Sequence, residues 1–192
     1  MKVLIIGGCG YTGSAIGKYL APKHEITNVD LEWFGNYSEH TNINIDYNNL
    51  TPAFLDKYNV VILTAGHSSV KMCDTDLQSS FNNNVRNFVN LTSKLTTQKF
   101  IYASSASVYG NTSETEIAED NINYYDMTKL HIDHIAQLSN LDYYGLRFGT
   151  VNGPAPSIRT DVMINAMVNT AMQKGEIHVF NKDTHRSILG IN

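Results

Sequence analysis

Cysteine, proline, positive charge and long apolar runs are all scarce in this chain of 192 residues, and each scarcity removes a class of protein. Two cysteines, Cys9 and Cys73, lack CxxC spacing, which excludes a disulfide framework and a cysteine zinc site. Cys9 falls where a tight loop needs a small residue, so it reads as a filler before it reads as a reactive thiol. Four prolines and no low-complexity stretch leave no linker between independent units. No apolar run is long enough to span a bilayer, and a glycine loop opens at Gly7 directly after one apolar strand, so neither a membrane segment nor a signal peptide is expected. That places the protein in the cytoplasm by expectation. Fourteen basic against eighteen acidic residues give a formal charge of -4, with no footprint for nucleic acid or an anionic membrane. The expected partner is a small molecule or another protein.

What is present is ordinary globular composition, 42% hydrophobic and 17% charged, at a length that buries a real core. Apolar runs at Lys2 to Ile6, Glu25 to Val29, Val60 to Leu63, Phe100 to Ala103 and Tyr143 to Phe148 read as strands. Helical spacing covers Ser14 to Leu20, roughly Leu77 to Leu95, and Tyr124 to Leu138. Strands alternating with helices imply an α/β fold with a parallel sheet covered on both faces and ligands at its carboxyl edge. After Pro154 the pattern changes. Asp161 to Lys174 reads as an amphipathic helix with Met163, Ile164, Met167, Val168 and Ala171 at core spacing and Gly175 as its C-cap. Glu176 to Phe180 and Ser187 to Ile191 flank the polar turn 181–184 and suggest two short strands.

Gly7, Gly10 and Gly13 lie between the first strand and the first helix, and Asp30 closes the second strand. Gly7 lets the chain turn, Gly10 lets backbone N–H groups approach a pyrophosphate at the helix N-terminus, and Gly13 lets the helix pack closely. Asp30 would accept from the adenosine ribose hydroxyls and repel a 2′-phosphate, so NAD is expected over NADP. Asp46 is either a partner for the adenine amino group or a solvated aspartate. Thr64, Ala65 and Gly66 offer small side chains where a cofactor passes close to backbone.

Four residues apart on a helix, Tyr125 and Lys129 share a face, while Tyr124 turns aside. They follow the hydroxyl-rich run Ser104-Ser105-Ala106-Ser107. Glycine loop, serines and phenol–lysine pair are together the parts of a hydride-transfer site. A phenol near pKa 10 serves as a base near neutral pH only if lowered by about three units, on the order of 4 kcal/mol, which Lys129 and an oxidised nicotinamide would supply together. Ser105 would then hydrogen-bond the substrate oxygen while Tyr125 moves its proton.

With these motifs in order, the chain resembles the extended short-chain dehydrogenases/reductases of the NAD-dependent epimerase/dehydratase family, the group of UDP-galactose 4-epimerase. GGCGYTG matches the family's GGxGxxG, ASSASVYG its SSxxVYG, YDMTK its YxxxK, Asn84-Val85 the NV start of a helix, and LRFGTVNGP its LRxxxVYGP. The resemblance implies a Rossmann-type doubly wound parallel sheet, an NAD-binding domain over residues 1–154, and the start of a substrate-binding lobe over 155–192. It implies that Ser105, Tyr125 and Lys129 are catalytic. Gly7, Gly10, Tyr11, Thr12, Gly13, Asp30, Asp46, Leu63, Thr64, Ala65, Gly66, Asn84 and Phe148 are assigned to the cofactor, with Tyr125 and Lys129 again. Ser68, Ser69, Ser107, Thr150 and Asn152 are assigned to the sugar or nicotinamide border. Thr150 stands where many epimerases carry asparagine, and Asn152 replaces the tyrosine of VYGP.

Family members usually run much longer, so most of the lobe that grips the nucleotide is expected to be missing. The expected activity is an NAD-dependent nucleotide-sugar epimerase, dehydratase or reductase; the alternative is an NAD-binding module or truncated fragment without turnover. The resemblance also implies a homodimer through helices near Phe81 to Leu95 and Tyr125 to Leu138. His131 and His134 are three apart but lack an evident third ligand, so no metal is expected. His67 is a candidate nicotinamide or substrate contact or an ordinary loop histidine, and Arg159 a candidate phosphate contact or a solvated cation.

Overall fold

The strand Lys2–Ile6, β1, is buried from Val3 onward, as a strand covered on both faces must be. Its side chains alternate between two cores: Leu4 and Ile6 enter one cluster, Val3 and Ile5 the other. A computed structural model describes residues 1–110, 116–117, 122–179 and 186–191. After β1 come the helix α1 (Tyr11–Leu20), β2 (Glu25–Val29), β3 (Asn42–Ile43), a 3₁₀ turn (Tyr47–Asn49) and the short α2 (Pro52–Leu55). Then follow β4 (Val60–Leu63), α3 (Val70–Thr75), α4 (Leu77–Phe81), a π-helical turn (Asn82–Arg86) and α5 (Asn87–Thr92). The strand β5 (Lys99–Ser105), a second 3₁₀ turn (Ala106–Tyr109), α6 (Tyr124–Gln137) and β6 (Tyr143–Phe148) complete the main body. Last come β7 (Thr150–Asn152), α7 (Met163–Lys174) and β8 (Ile188–Gly190).

Six strands form one sheet in the order β3-β2-β1-β4-β5-β6, every neighbouring pair parallel. This is the doubly wound Rossmann order, and its direction reverses between β1 and β4, where a crevice opens beyond the strand ends. On one face Phe88 and Leu91 of α5 and Ile132 and Ala136 of α6 pack on Leu4, Val61, Phe100 and Tyr102. On the other face Ile16 and Leu20 of α1 cover Val3, Ile5, Val60 and Ile62. The register pairs Ile101 with Tyr144 and Ala103 with Leu146, which sets these β6 side chains on that second face, where they are 52% and 42% exposed.

Four sequence expectations change. The first helix begins a turn earlier than Ser14, with Gly10 as its N-cap. The helix expected over Leu77 to Leu95 is interrupted by the π-helical turn through three consecutive asparagines, a widening common at functional sites. The stripe on α7 is not core: Met163 and Val168 are 39% and 53% exposed, and the buried residue of that helix is Asn165. A polar anchor, not an apolar seam, holds this helix, because its contacts run to the short strand β7. Its end is as expected, with Gly175 in the left-handed region at φ 72°. Instead of two strands around a polar turn, β8 pairs parallel with β7, residues 176–179 form no strand, and Phe180 and the turn 181–184 lie outside the described residues. The backbone edge of β7 supplies the partner, with Thr150 N donating to Ser187 O and Ile191 N to Asn152 O.

Candidate active site

Two clefts meet at the carboxyl ends of β1 and β4. The first, about 630 Å³, is walled by the glycine loop, Asp30, Asp46, and Thr64 to Gly66. Its floor shows what each glycine is for. Gly7 has φ +88°, and a Cβ there would lie 2.4 Å from Ala65 N. A Cβ on Gly13 would lie 2.1 Å from Gly7 O, so the protein's own backbone forbids a side chain at both positions. Gly10 differs: its φ is an ordinary -82°, and a Cβ would meet only Gly7 O, at 3.7 Å. The protein itself tolerates a side chain at Gly10, so the residue makes sense only if something else fills the space. As N-cap of α1 it makes no side-chain cap, and Tyr11, Thr12 and Gly13, whose N–H groups have no partner within an ideal helix, line the cleft. An uncapped helix N-terminus behind an open glycine fits a pyrophosphate.

Asp30 is held by two backbone donors, Cys9 N at 3.0 Å and Glu32 N at 2.8 Å. Each of its oxygens keeps lone-pair capacity for a ribose hydroxyl. Burial, with Asp30 and Glu32 adding to it, pushes the Cys9 thiol up to about 12, so it stays protonated and acts as the small filler its position demands. Asp46 lines the same cleft while its Oδ1 caps Asn48 N at 2.8 Å. The Thr64 hydroxyl donates to the carbonyls of Ile6 and Gly7, both at 3.1 Å, and ties the two strand ends together.

The second cleft, about 910 Å³, is lined by Ser105, Ser107, Tyr125, Lys129, Phe148 and Thr150. Tyr11, Thr12, Thr64, Ser68 and Ser69 line both, so a ligand in the first can present one end to the second. Helix α6 begins at Asn123, whose side chain caps Asp126 N, and this start sets Tyr125 and Lys129 on the wall. Lys129 is 8% exposed, and its Nζ donates to Ala103 O at 2.9 Å and lies 5.8 Å from the Tyr125 ring centre. Burial pushes the ammonium down to about 8, against the pull of Asp133 and Cys73. Burial likewise raises Tyr125, outweighing the lowering from its Ser105 hydrogen bond and from Arg159. In the chain alone burial therefore dominates the phenol, whereas the lowering expected from the sequence came from Lys129 together with an oxidised nicotinamide.

Not every assigned residue reaches a cleft wall. Leu63 belongs to the hydrophobic core. Asn84 sits behind the wall: its Oδ1 accepts from His67 N at 2.8 Å and its Nδ2 donates to His67 O at 3.0 Å and Thr128 Oγ1 at 3.1 Å. It fixes the turn after β4. Phe148 lines the second cleft and not the first. Asn152 is tied to β8 by a bond to Leu189 O at 3.0 Å and lines neither. Ser69 caps α3 through Met72 N, and Ser68 Oγ accepts from Arg159 at 2.9 Å. Arg159 also pairs with Asp161 and stands where the clefts join.

Three features escaped the sequence reading. Trp33, Phe34 and Tyr37, exposed after β2, line the first cleft, and the only signal was an aromatic cluster following Asp30. Asn165 bonds Gly153 N at 3.0 Å, Tyr11 Oη at 3.2 Å and Arg159 O at 3.0 Å, joining the segment after β7 to the glycine loop. Asp126 is buried between Ser107 and Asn123 in the second cleft.

A parallel doubly wound sheet with a glycine-loop cleft opening onto a serine, tyrosine and lysine wall defines a nucleotide-binding protein of the dehydrogenase type. The model of the NAD dependent epimerase/dehydratase family matches residues 3–188, and the chain belongs to that family, whose cofactor is NAD. Protein CapI of Staphylococcus aureus is 30% identical over 211 residues, an alignment covering 94% of this chain and 63% of CapI. ADP-L-glycero-D-manno-heptose-6-epimerase of Brachyspira hyodysenteriae is 29% identical, covering 79% of this chain and 55% of that protein. Among solved structures, the NAD-dependent NDP-hexosamine 5,6-dehydratase TunA superposes with a TM-score of 0.84 at 22% identity, over 99% of this chain and 68% of its own. UDP-glucuronic acid 4-epimerase from Bacillus cereus, solved with UDP-glucuronic acid and NAD, gives 0.80 at 23%, over 100% and 69%. The chain thus spans under two thirds of the length of these two curated relatives. Among the described residues no helix is long and apolar enough to cross a membrane.

Proposed function

We propose that this chain carries the cofactor-binding and proton-transferring part of an NAD-dependent nucleotide-sugar epimerase or a closely related dehydratase or reductase. The observation that supports the reading is that the two clefts share a wall, the first walled by the glycine loop and Asp30 and the second lined by Ser105, Tyr125 and Lys129. Gly7, Gly10, Tyr11, Thr12 and Gly13 would hold the pyrophosphate, Asp30 the adenosine ribose, and Asp46 with Thr64 to Gly66 the walls around them. Bound NAD would accept and return a hydride and, while oxidised, bring a positive charge. Tyr125 moves the proton of the sugar hydroxyl, Lys129 holds a buried charge one turn away, and Ser105, Ser107 and Thr150 border the sugar. Because burial raises Tyr125 in the chain alone, its activation is tied to occupancy of the cofactor site.

The names of TunA and of the glucuronic acid epimerase support a nucleotide-sugar substrate by likeness. Domain division at residue 154 and a homodimer through α4, α5 and α6 belong to the same reading, the latter supported by Val89 and Leu138, 45% and 87% exposed on those helices. The competing reading, NAD binding without turnover, is favoured by Tyr144 and Leu146, which leave an apolar part of the sheet face exposed on β6. Titration with NAD, then with UDP-, GDP- and dTDP-sugars, followed by absorbance of reduced bound cofactor and by epimer formation, separates the two. NAD binding with no reduction by any sugar selects the second reading, and loss of both sinks the first and the second.

A further inference from the structure

Trp33, the chain's one tryptophan, stands 55% exposed in a wall of the first cleft, and its ring meets the ring of His67 edge to face, with centres 5.5 Å apart and planes at 78°. Trp33 follows β2 and His67 follows β4, and β1 lies between those strands in the sheet. Neighbouring strands lie about 4.8 Å apart, so the contact joins strand ends roughly 10 Å apart and crosses the carboxyl end of β1, where the glycine loop begins. The indole bridges the cleft.

Both ends of the bridge are held. Glu32 has φ 57°, the one left-handed non-glycine among the described residues, and its Oε1 accepts from Asn36 Nδ2 at 2.9 Å and from Asn42 Nδ2 at 2.8 Å. Its N–H donates to Asp30 Oδ1 and its carbonyl accepts from Gly35 N, closing a turn that carries Trp33 and Phe34 to the cleft wall. A non-glycine residue keeps that conformation only where its surroundings hold it, and such positions gather at ligand clamps. At the other end His67 is 7% exposed and gripped by two successive asparagines of the π-helical turn. Asn84 takes its backbone N–H and carbonyl. Asn83 Nδ2, which can only donate, bonds Nδ1 at 3.3 Å and so leaves the proton of the neutral ring on Nε2. The Tyr47 hydroxyl in turn donates to the Asn83 carbonyl.

The chemistry of this wall points to its occupant. Trp33, Phe34, Tyr37 and Ile45 expose apolar, mostly aromatic surface along the cleft, which suits a flat ring and not an anion. Asp30, the carboxylate that fits the adenosine ribose, stands three residues before Trp33, and Trp33 lines the first cleft without reaching the second, where Tyr125 stands. The flat π system attached to that ribose is adenine, and a base stacks on an aromatic side chain.

We propose that Trp33 is the cover of the adenine subsite: the indole lies over the base of the bound dinucleotide, and His67 is the platform that holds it there. This rests on the reading of the first cleft as the NAD site, and it adds a contact that the glycine loop, Asp30 and Asp46 do not supply.

Because the tryptophan is alone, its fluorescence reports the site directly, and titration of the whole chain with NAD and with ADP-ribose, which lacks the nicotinamide, tests the cover. Both ligands are expected to quench the emission. By calorimetry Trp33→Ala should weaken both by the same factor, about tenfold or more, through faster dissociation, while Trp33→Phe keeps most of the affinity. Thermal melts of both variants should match the unsubstituted chain, since the side chain is half exposed. His67→Ala should weaken both ligands less than Trp33→Ala does, and the double variant should bind no worse than Trp33→Ala alone. Additive losses would overturn the platform. Unchanged affinity in Trp33→Ala, a loss confined to NAD, or ADP-ribose binding without a change in emission would overturn the cover. Tighter binding by Trp33→Ala would overturn it as well, by showing that the indole occupies the ligand's place. In each of these cases NAD still binds and the functional reading stands, whereas a chain that binds neither ligand removes both.

Discussion

Replacing Lys129 with methionine should stabilise the fold at neutral pH and destabilise it in strong alkali. Lys129 is buried, and that burial lowers it from 10.5 to about 8. At about 1.4 kcal/mol per tenfold change, keeping this ammonium charged at pH 7 costs the fold roughly 3 kcal/mol. Methionine removes that cost and also removes the charged hydrogen bond to Ala103 O, worth about 1.5–3 kcal/mol, so the net gain at pH 7 is about 1 kcal/mol. Because the folded pKa lies below the unfolded one, between about 8 and 10.5 the unfolded chain holds a proton that the folded chain has released. Wild-type stability therefore rises with pH across that window, and the methionine variant lacks the rise. Urea unfolding of both proteins from pH 7 to pH 10.5 reads the difference directly, since every other titrating group is common to the two. The difference should swing by about 3 kcal/mol toward wild type, from a lead for the variant to a deficit. A difference that stays flat with pH would show that Lys129 is not held in a desolvated site, and the argument from burial would fall. The same variant should lose turnover, because the buried charge beside Tyr125 is gone.

Gly10→Ala should fold with nearly unchanged stability yet bind NAD at least tenfold more weakly, whereas Gly13→Ala should lose several kcal/mol, since its Cβ has 2.1 Å to Gly7 O; calorimetric titration and thermal melts distinguish them. Asp30→Ala should narrow a preference for NAD over NADP, and equal affinities in the unsubstituted protein would remove the role given to that carboxylate. Tyr125→Phe should keep NAD bound and lose most sugar-driven reduction, and undiminished reduction would take Tyr125 out of the mechanism. Asn165→Ala removes bonds to Gly153, Tyr11 and Arg159 and should cost about 1–3 kcal/mol, a fall of several degrees in Tm by calorimetry.

The alternation of strands and helices, the parallel sheet and the order of motifs were legible in the sequence because they rest on local signals. Apolar runs of strand length, glycines at a strand end and a phenol four residues from a lysine need no knowledge of distant contacts. Even the reason for Gly7 and Gly13 was readable as turn and close packing, although only the tertiary structure separated them from Gly10, where the protein leaves room for a side chain. The stripe on α7 misled because helical spacing says which residues share a face and not what covers it. Ionisation was beyond the sequence altogether. The motif suggested a lysine that, with an oxidised nicotinamide, lowers a tyrosine, but the balance between desolvation and charge depends on burial, which is a tertiary fact. Asp126 reads in the sequence as one more acidic residue near a helix start. Only the packing of α6 against the end of β5 brings it under Ser107 and makes it part of the Tyr125 wall, because hydrogen bonds between residues 19 apart in the chain exist only once the sheet and helix have closed on each other.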